Sequence, residues 1–175
     1  MNDNLKIKIE KARLELQKET SAPIIGKLNE GINSDNKLIP QFYRDFLSVC
    51  NGGRYGSIDL WSNELILDNQ YRVTELDGGN ENWFCIGQVL YEPLVVKLDT
   101  EDIYLFYQGY ENEIEGRCFG NLDIFLDNYV FGKKYAEIIP DAEDEEWYMF
   151  LNKPYSVKLT IVLHPVFSAI IPAGN

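Results

Sequence analysis

The chain has 175 residues, the length of one domain, and 45% of them are hydrophobic and 13% aromatic. That is enough apolar material for a core, which excludes disorder of the whole chain. The formal net charge is −12, with seven basic and six acidic side chains in residues 1–40 and nine and twenty-two in residues 41–175, a net of −13 there. Such a surface repels phosphate backbones, which excludes nucleic acid as a partner, and attracts a basic partner from a distance. On charge alone, acidity is read first as an aid to solubility.

Leu5, Ile9, Ala12 and Leu16 recur at helical spacing, which predicts an amphipathic helix to about Lys18. Ser21 to Lys37 carries Pro23, Gly26, Gly31 and several Asn and reads as a loop-rich connection. Pro40 suits the first turn of a second helix. Tyr43, Phe46, Leu47 and Cys50 form its apolar stripe, and Asn51-Gly52-Gly53 ends it, since glycine takes the left-handed conformation readily. The period then changes. Ser57 to Trp61 alternates, and Trp83 to Val89 is an apolar run fit for a central strand. Asp77-Gly78-Gly79-Asn80 is a turn before that strand. Leu94 to Leu98 and Ile103 to Tyr107 are two further strands, and the links around Tyr91-Glu92-Pro93 and Asp99 to Asp102 are of hairpin size. Short links predict antiparallel neighbours rather than βαβ crossovers. Leu122, Phe125, Leu126, Tyr129 and Val130 restore helical spacing up to Gly132. The expected fold is a single α+β domain: N-terminal helices, an antiparallel sheet and a late helix.

Two stretches follow that helix. Asp141 to Glu146 places five acids in six positions, a run expected to stay solvated. Within residues 155–175, Val157, Leu159, Ile161 and Leu163 alternate with Lys158, Thr160 and Val162. They read as a strand in need of a partner, in the same sheet or across an edge in a homodimer. The uncharged run from Leu159 to Asn175 holds Pro165 and Pro172 and is too short and broken to span a membrane, which takes about 20 apolar residues. The first nineteen residues are charged throughout, unlike a signal peptide. Cys50, Cys85 and Cys118 form no CxxC pair and suit a reducing compartment. The expected location is the cytoplasm.

The stretch Ile39-Pro40-Gln41-Phe42-Tyr43-Arg44-Asp45-Phe46-Leu47 leading to Asn51, Gly52 and Gly53 resembles the N-terminal signature of the SUKH superfamily of Smi/Knr-like proteins. Trp83-Phe84-Cys85-Ile86-Gly87 is similar to that family's second signature, an aromatic-rich strand ending in Ile-Gly. Ile103 to Phe106 and the helix around Phe125 and Leu126 fall where the family has its next strand and closing helix. The resemblance covers about residues 40–131 and departs at Gln88 to Pro93, QVLYEP, where members often carry Gly and Asp. It implies structural roles for Pro40, Tyr43, Asn51, Gly52, Gly53, Trp83, Ile86 and Gly87. It also implies a function: an immunity protein that binds a cognate polymorphic toxin, often a basic nuclease-like domain, and occludes its active surface. A regulatory adaptor of the Smi/Knr type is the alternative, and a hydrolase using paired carboxylates ranks last.

Little in the chain favours catalysis. His164 is the single histidine and no Ser or Cys motif accompanies it, so no triad and no cofactor are assigned. The Cys and His residues lack the spacing of a zinc site. Glu111, Glu113 and Glu115 can collect a cation but read better as a solvated loop. The acidic run lacks the glycine and final glutamate of a calcium loop. Among the tryptophans, Trp83 reads as core, Trp61 is left undecided, and Trp147 is the candidate surface anchor. The expected partner contact is therefore Asp141, Glu143, Asp144, Glu145, Glu146 and Trp147.

Overall fold

A computed structural model describes residues 1–108 and 114–153. The expected strand within residues 155–175, the homodimer contact assigned to it, His164, Glu111 and Glu113 lie outside the described residues. No helix among those described is long and apolar enough to cross a membrane.

The protein is α+β. Seven antiparallel strands form one sheet in which each pairs with the next in sequence: β1 Gly26–Leu28, β2 Gly53–Tyr55, β3 Ile58–Leu60, β4 Trp83–Val89, β5 Glu92–Lys97, β6 Ile103–Gln108 and β7 Ile114–Cys118. Hairpin-sized links dictate the pairing of β2 with β3 and of β4 through β7, because a short loop returns the chain alongside itself, whereas longer connections join β1 to β2 and β3 to β4. β4 matches its predicted span, whereas β1, β2 and β7 carry too little alternation to be read as strands. β1 and β2 have three residues each, less than two periods of a pleat, and β7 is five residues interrupted by Gly116, so only the neighbouring strand defines them.

α1 spans Asp3–Leu16 and begins where the Asn2 side chain accepts the Leu5 N–H at 2.9 Å, an ordinary N-cap. Its predicted stripe is real, with Leu5, Ile9 and Leu16 buried. Two short helices follow, α2 at Ala22–Ile25 and α3 at Gln41–Leu47, the latter entered through Pro40. Tyr43, Phe46, Leu47 and Cys50 are all fully buried, as their spacing predicts. Between β3 and β4 lie a 3-10 segment, Leu67–Val73, and one helical turn, α4, Gly79–Asn82. After β7 come α5, Leu122–Phe125, which continues as a wider turn through Val130, and finally α6, Glu146–Asn152.

One core joins Leu5 of α1 to Phe150 of α6 through Phe46, Ile58, Ile86, Val96, Leu105 and Phe125. Residues after Pro140, which the family resemblance did not reach, belong to it: Ala142, Trp147 and Phe150 are buried there. The sheet's other face has a small core of its own. Val73 of the 3-10 segment covers Cys85 and Val95, with Trp61, Leu76, Trp83, Tyr104 and Phe106 packed around them and only partly buried.

Candidate binding surface

Tyr43, Asn51, Gly52, Gly53, Ile86 and Gly87, among the residues that carry the family resemblance, lie where α3 meets the sheet. The Tyr43 hydroxyl lies 2.7 Å from the Trp61 carbonyl and 3.1 Å from the Ile86 carbonyl. Ile86 is the extra residue of a bulge in β4, since Cys85 and Gly87 pair with consecutive residues of β5. A bulge leaves its carbonyl without a ladder partner, and the Trp61 N–H takes it at 2.8 Å. Burial pushes the Tyr43 phenol well above its ordinary ionisation, so it remains a neutral donor. A Cβ on Gly87 would stand 2.1 Å from the Asp59 carbonyl, and one on Gly53 2.3 Å from that of Lys27. Only glycine permits these approaches. Gly52 has φ +66, and the Asn51 side chain accepts the Asn63 N–H at 2.8 Å. These residues hold α3 to the strands; they support a site rather than forming one.

The acidic run divides. Asp141, Glu143, Asp144 and Glu146 are exposed, whereas Glu145 is half-buried and bonded inward. It accepts hydrogen bonds from the Tyr135 hydroxyl at 2.7 Å and from the Ser57 hydroxyl. Tyr135 also receives the Ser57 N–H at 3.0 Å, and burial together with the Glu145 bond raises its ionisation. Glu145 thus ties the last turns to the β2–β3 hairpin.

Trp147 is not a surface anchor. It is 0% exposed, donates its indole N–H to the Val130 carbonyl at 2.8 Å, and meets Tyr55 and Phe131 edge-to-face. The reason is helical geometry. Trp147 and Phe150, three residues apart, share the inward side of α6, while Glu143, Asp144 and Glu146 stay outside. That i, i+3 spacing was present in the sequence, overshadowed by the charge run beside it.

The sheet's second face presents the surface that the sequence did not reveal. Trp83, Tyr104 and Phe106 are half-buried there, so Trp83, expected in the core, sits at its border. Its ring meets Tyr104 at 5.4 Å and Phe106 at 5.0 Å, both nearly perpendicular, and the latter two stack at 6.0 Å. The indole N–H donates to the Asp77 carbonyl at 2.9 Å, which fixes the ring against the turn before α4. The exposed Glu75, Asp77 and Glu81 belong to that turn and helix, and Asp99 to the β5–β6 link. Asp99 pairs with Lys97 at 3.4 Å. Cys118 stands opposite Tyr104 on β7, exposed and unpaired in any disulfide. Its hydrogen bond to Tyr104 raises that phenol's ionisation.

Gln70 anchors the covering segment to this face. Its amide gives a hydrogen bond to the Cys85 carbonyl and accepts one from the Cys85 N–H, both at 2.9 Å. β3 ends at Leu60, so Cys85 pairs with β5 on one side and has no strand on the other, where the Gln70 side chain stands in for one.

Among the described residues, no three His, Cys, Asp or Glu side chains come together as a metal site. A groove of about 450 Å³ between α1 and the β1 edge is lined by Arg13, Lys27 and Arg54 together with Leu16, Ala22, Pro23 and Leu28. It is distant in the fold from the aromatic face. No family model matches the sequence, and no curated protein matches it.

Proposed function

We propose that this chain is an immunity-type protein with a SUKH-like arrangement, which binds a basic toxin domain in the cytoplasm of the producing cell and covers its active surface. The observation that carries the reading is the half-exposed Trp83–Tyr104–Phe106 cluster on the sheet's second face, bordered by Glu75, Asp77, Glu81 and Asp99. Rigid aromatic rings supply contact area with little entropy left to lose, which is why they dominate binding hot spots. An acidic border adds attraction toward a basic partner. The motif resemblance in residues 40–131 supports the immunity role, and the net of −13 in residues 41–175 supports the partner's charge.

Co-expression with the toxin domain encoded beside its gene tests the reading. Growth is expected to be rescued by the wild-type chain and lost with Trp83→Ala plus Phe106→Ala, the double variant remaining folded by circular dichroism. Failure of the wild type to rescue, or full rescue by the folded double variant, refutes the proposal.

A further inference from the structure

β4 and β5 are joined by a two-residue loop, because Val89 pairs with Glu92. Loops of that length call for positive φ, and the sequence that meets the demand at least cost is Asn-Gly. This chain has Leu90 at φ +58 and Tyr91 at φ +143, two residues whose Cβ atoms oppose such backbone angles. Core packing does not account for them, since Leu90 is 42% exposed and Tyr91 86% exposed.

The strained tip is nevertheless firmly held. The Leu90 N–H donates to the Ser57 carbonyl at 2.9 Å. From the 3-10 segment, the Arg72 guanidinium donates to the Tyr91 carbonyl and, at 3.2 Å, to the Gln88 side chain. Arg72 lies two residues after Gln70 in the 3-10 segment, and Gln70 bonds that segment to β4. A strained backbone that its surroundings over-determine, carrying an apolar and an aromatic side chain outward, is the pattern of a pre-organised contact.

Resting on the binder reading above, we infer that Leu90 and Tyr91 form a knob that inserts into an apolar recess on the basic partner protein. Glu92 beside the knob is exposed and adds charge complementary to the recess rim. With the backbone of the tip already held, only the side chains remain to be ordered on entering the recess, so the knob's contribution falls mainly on dissociation.

The test replaces the pair by Leu90→Asn and Tyr91→Gly in the full chain, with Tyr91→Asn as a second variant that removes only the ring. Each is titrated calorimetrically with the toxin domain encoded beside the gene, and its melting temperature is measured. The double variant is expected to melt higher by about 2–6 °C, because its backbone is relaxed, and to bind about 30-fold more weakly or worse. Tyr91→Asn is expected to weaken binding by a similar factor. Affinity within about twofold of wild type overturns the knob while leaving the binder reading intact. A lowered melting temperature in the double variant overturns it too, since the tip is then unstrained. If the wild type does not bind, the binder reading itself fails and takes the knob with it.

Discussion

Trp147→Ala tests how the last helix is attached. The indole is wholly buried, its N–H occupies the Val130 carbonyl, and its ring lies against Tyr55, Phe131 and Phe150. Its other neighbours include glycine backbone: a Cβ on Gly26 would come within 3.2 Å of the ring, and one on Gly56 within 2.8 Å of the Trp147 Cβ. Backbone cannot swing into the space that truncation leaves, so the cavity persists and the cost belongs at the upper end of about 3–5 kcal/mol. For a chain of this length each kcal/mol corresponds to about 2–4 °C. The melting temperature is therefore expected to fall by roughly 10–20 °C. Trp147→Phe keeps most of the ring contacts and strips the carbonyl of its donor, for a loss of about 1–3 kcal/mol. Urea unfolding followed by circular dichroism measures both. A loss below about 0.5 kcal/mol for the alanine variant, the scale of ordinary surface changes, refutes the buried anchor.

Gly87→Ala drives a Cβ against the Asp59 carbonyl, backbone of a paired strand that cannot retreat. It is expected to cost about 2 kcal/mol or more in urea unfolding, and a neutral outcome refutes the close-approach argument. Stability should also fall in alkali. Burial raises the ionisation of Tyr43 and Tyr55 well above 10.0 and that of Cys50 and Cys85 above 9.0, so the folded chain keeps protons that the unfolded chain releases. That stability is complete below the unfolded values and is lost as pH climbs past them toward the folded ones, at about 1.4 kcal/mol per pH unit for each group. Urea midpoints unchanged between about pH 8 and pH 11 would contradict it. Converting Glu143, Asp144 and Glu146 to Lys should leave the fold intact and slow association with a basic toxin, and raising salt until the Debye length is about 3 Å should slow it further. Glu145→Lys is expected to destabilise the chain instead, because it breaks the bonds to Tyr135 and Ser57. Stopped-flow association indifferent to salt and to the three reversals would remove the run from the interface.

Local pattern alone determined a good part of this protein. The stripe of α1, the start and stripe of α3, the span of β4 and the antiparallel order of β4 to β6 follow from spacing, Pro40 and link length, whereas α3 ends at Leu47, short of the expected stop at Asn51-Gly52-Gly53. These are short-range effects, in which each residue's preference is set by neighbours a few positions away. Other features were decided only by the tertiary structure. β1, β2 and β7 exist because a neighbouring strand completes their hydrogen bonds. Trp147 turned inward because residues from β2, from the turn after α5 and from α6 itself enclose one cavity that its ring fills. Glu145 left its charge run because Tyr135 and Ser57, 10 and 88 residues away in sequence, supply the donors. The aromatic surface likewise depends on Trp83 standing beside two residues of β6 across an intervening strand. Periodicity states which side chains share a face. Which of two faces receives the helices, and which keeps its rings in contact with solvent, depends on where distant segments close over the sheet.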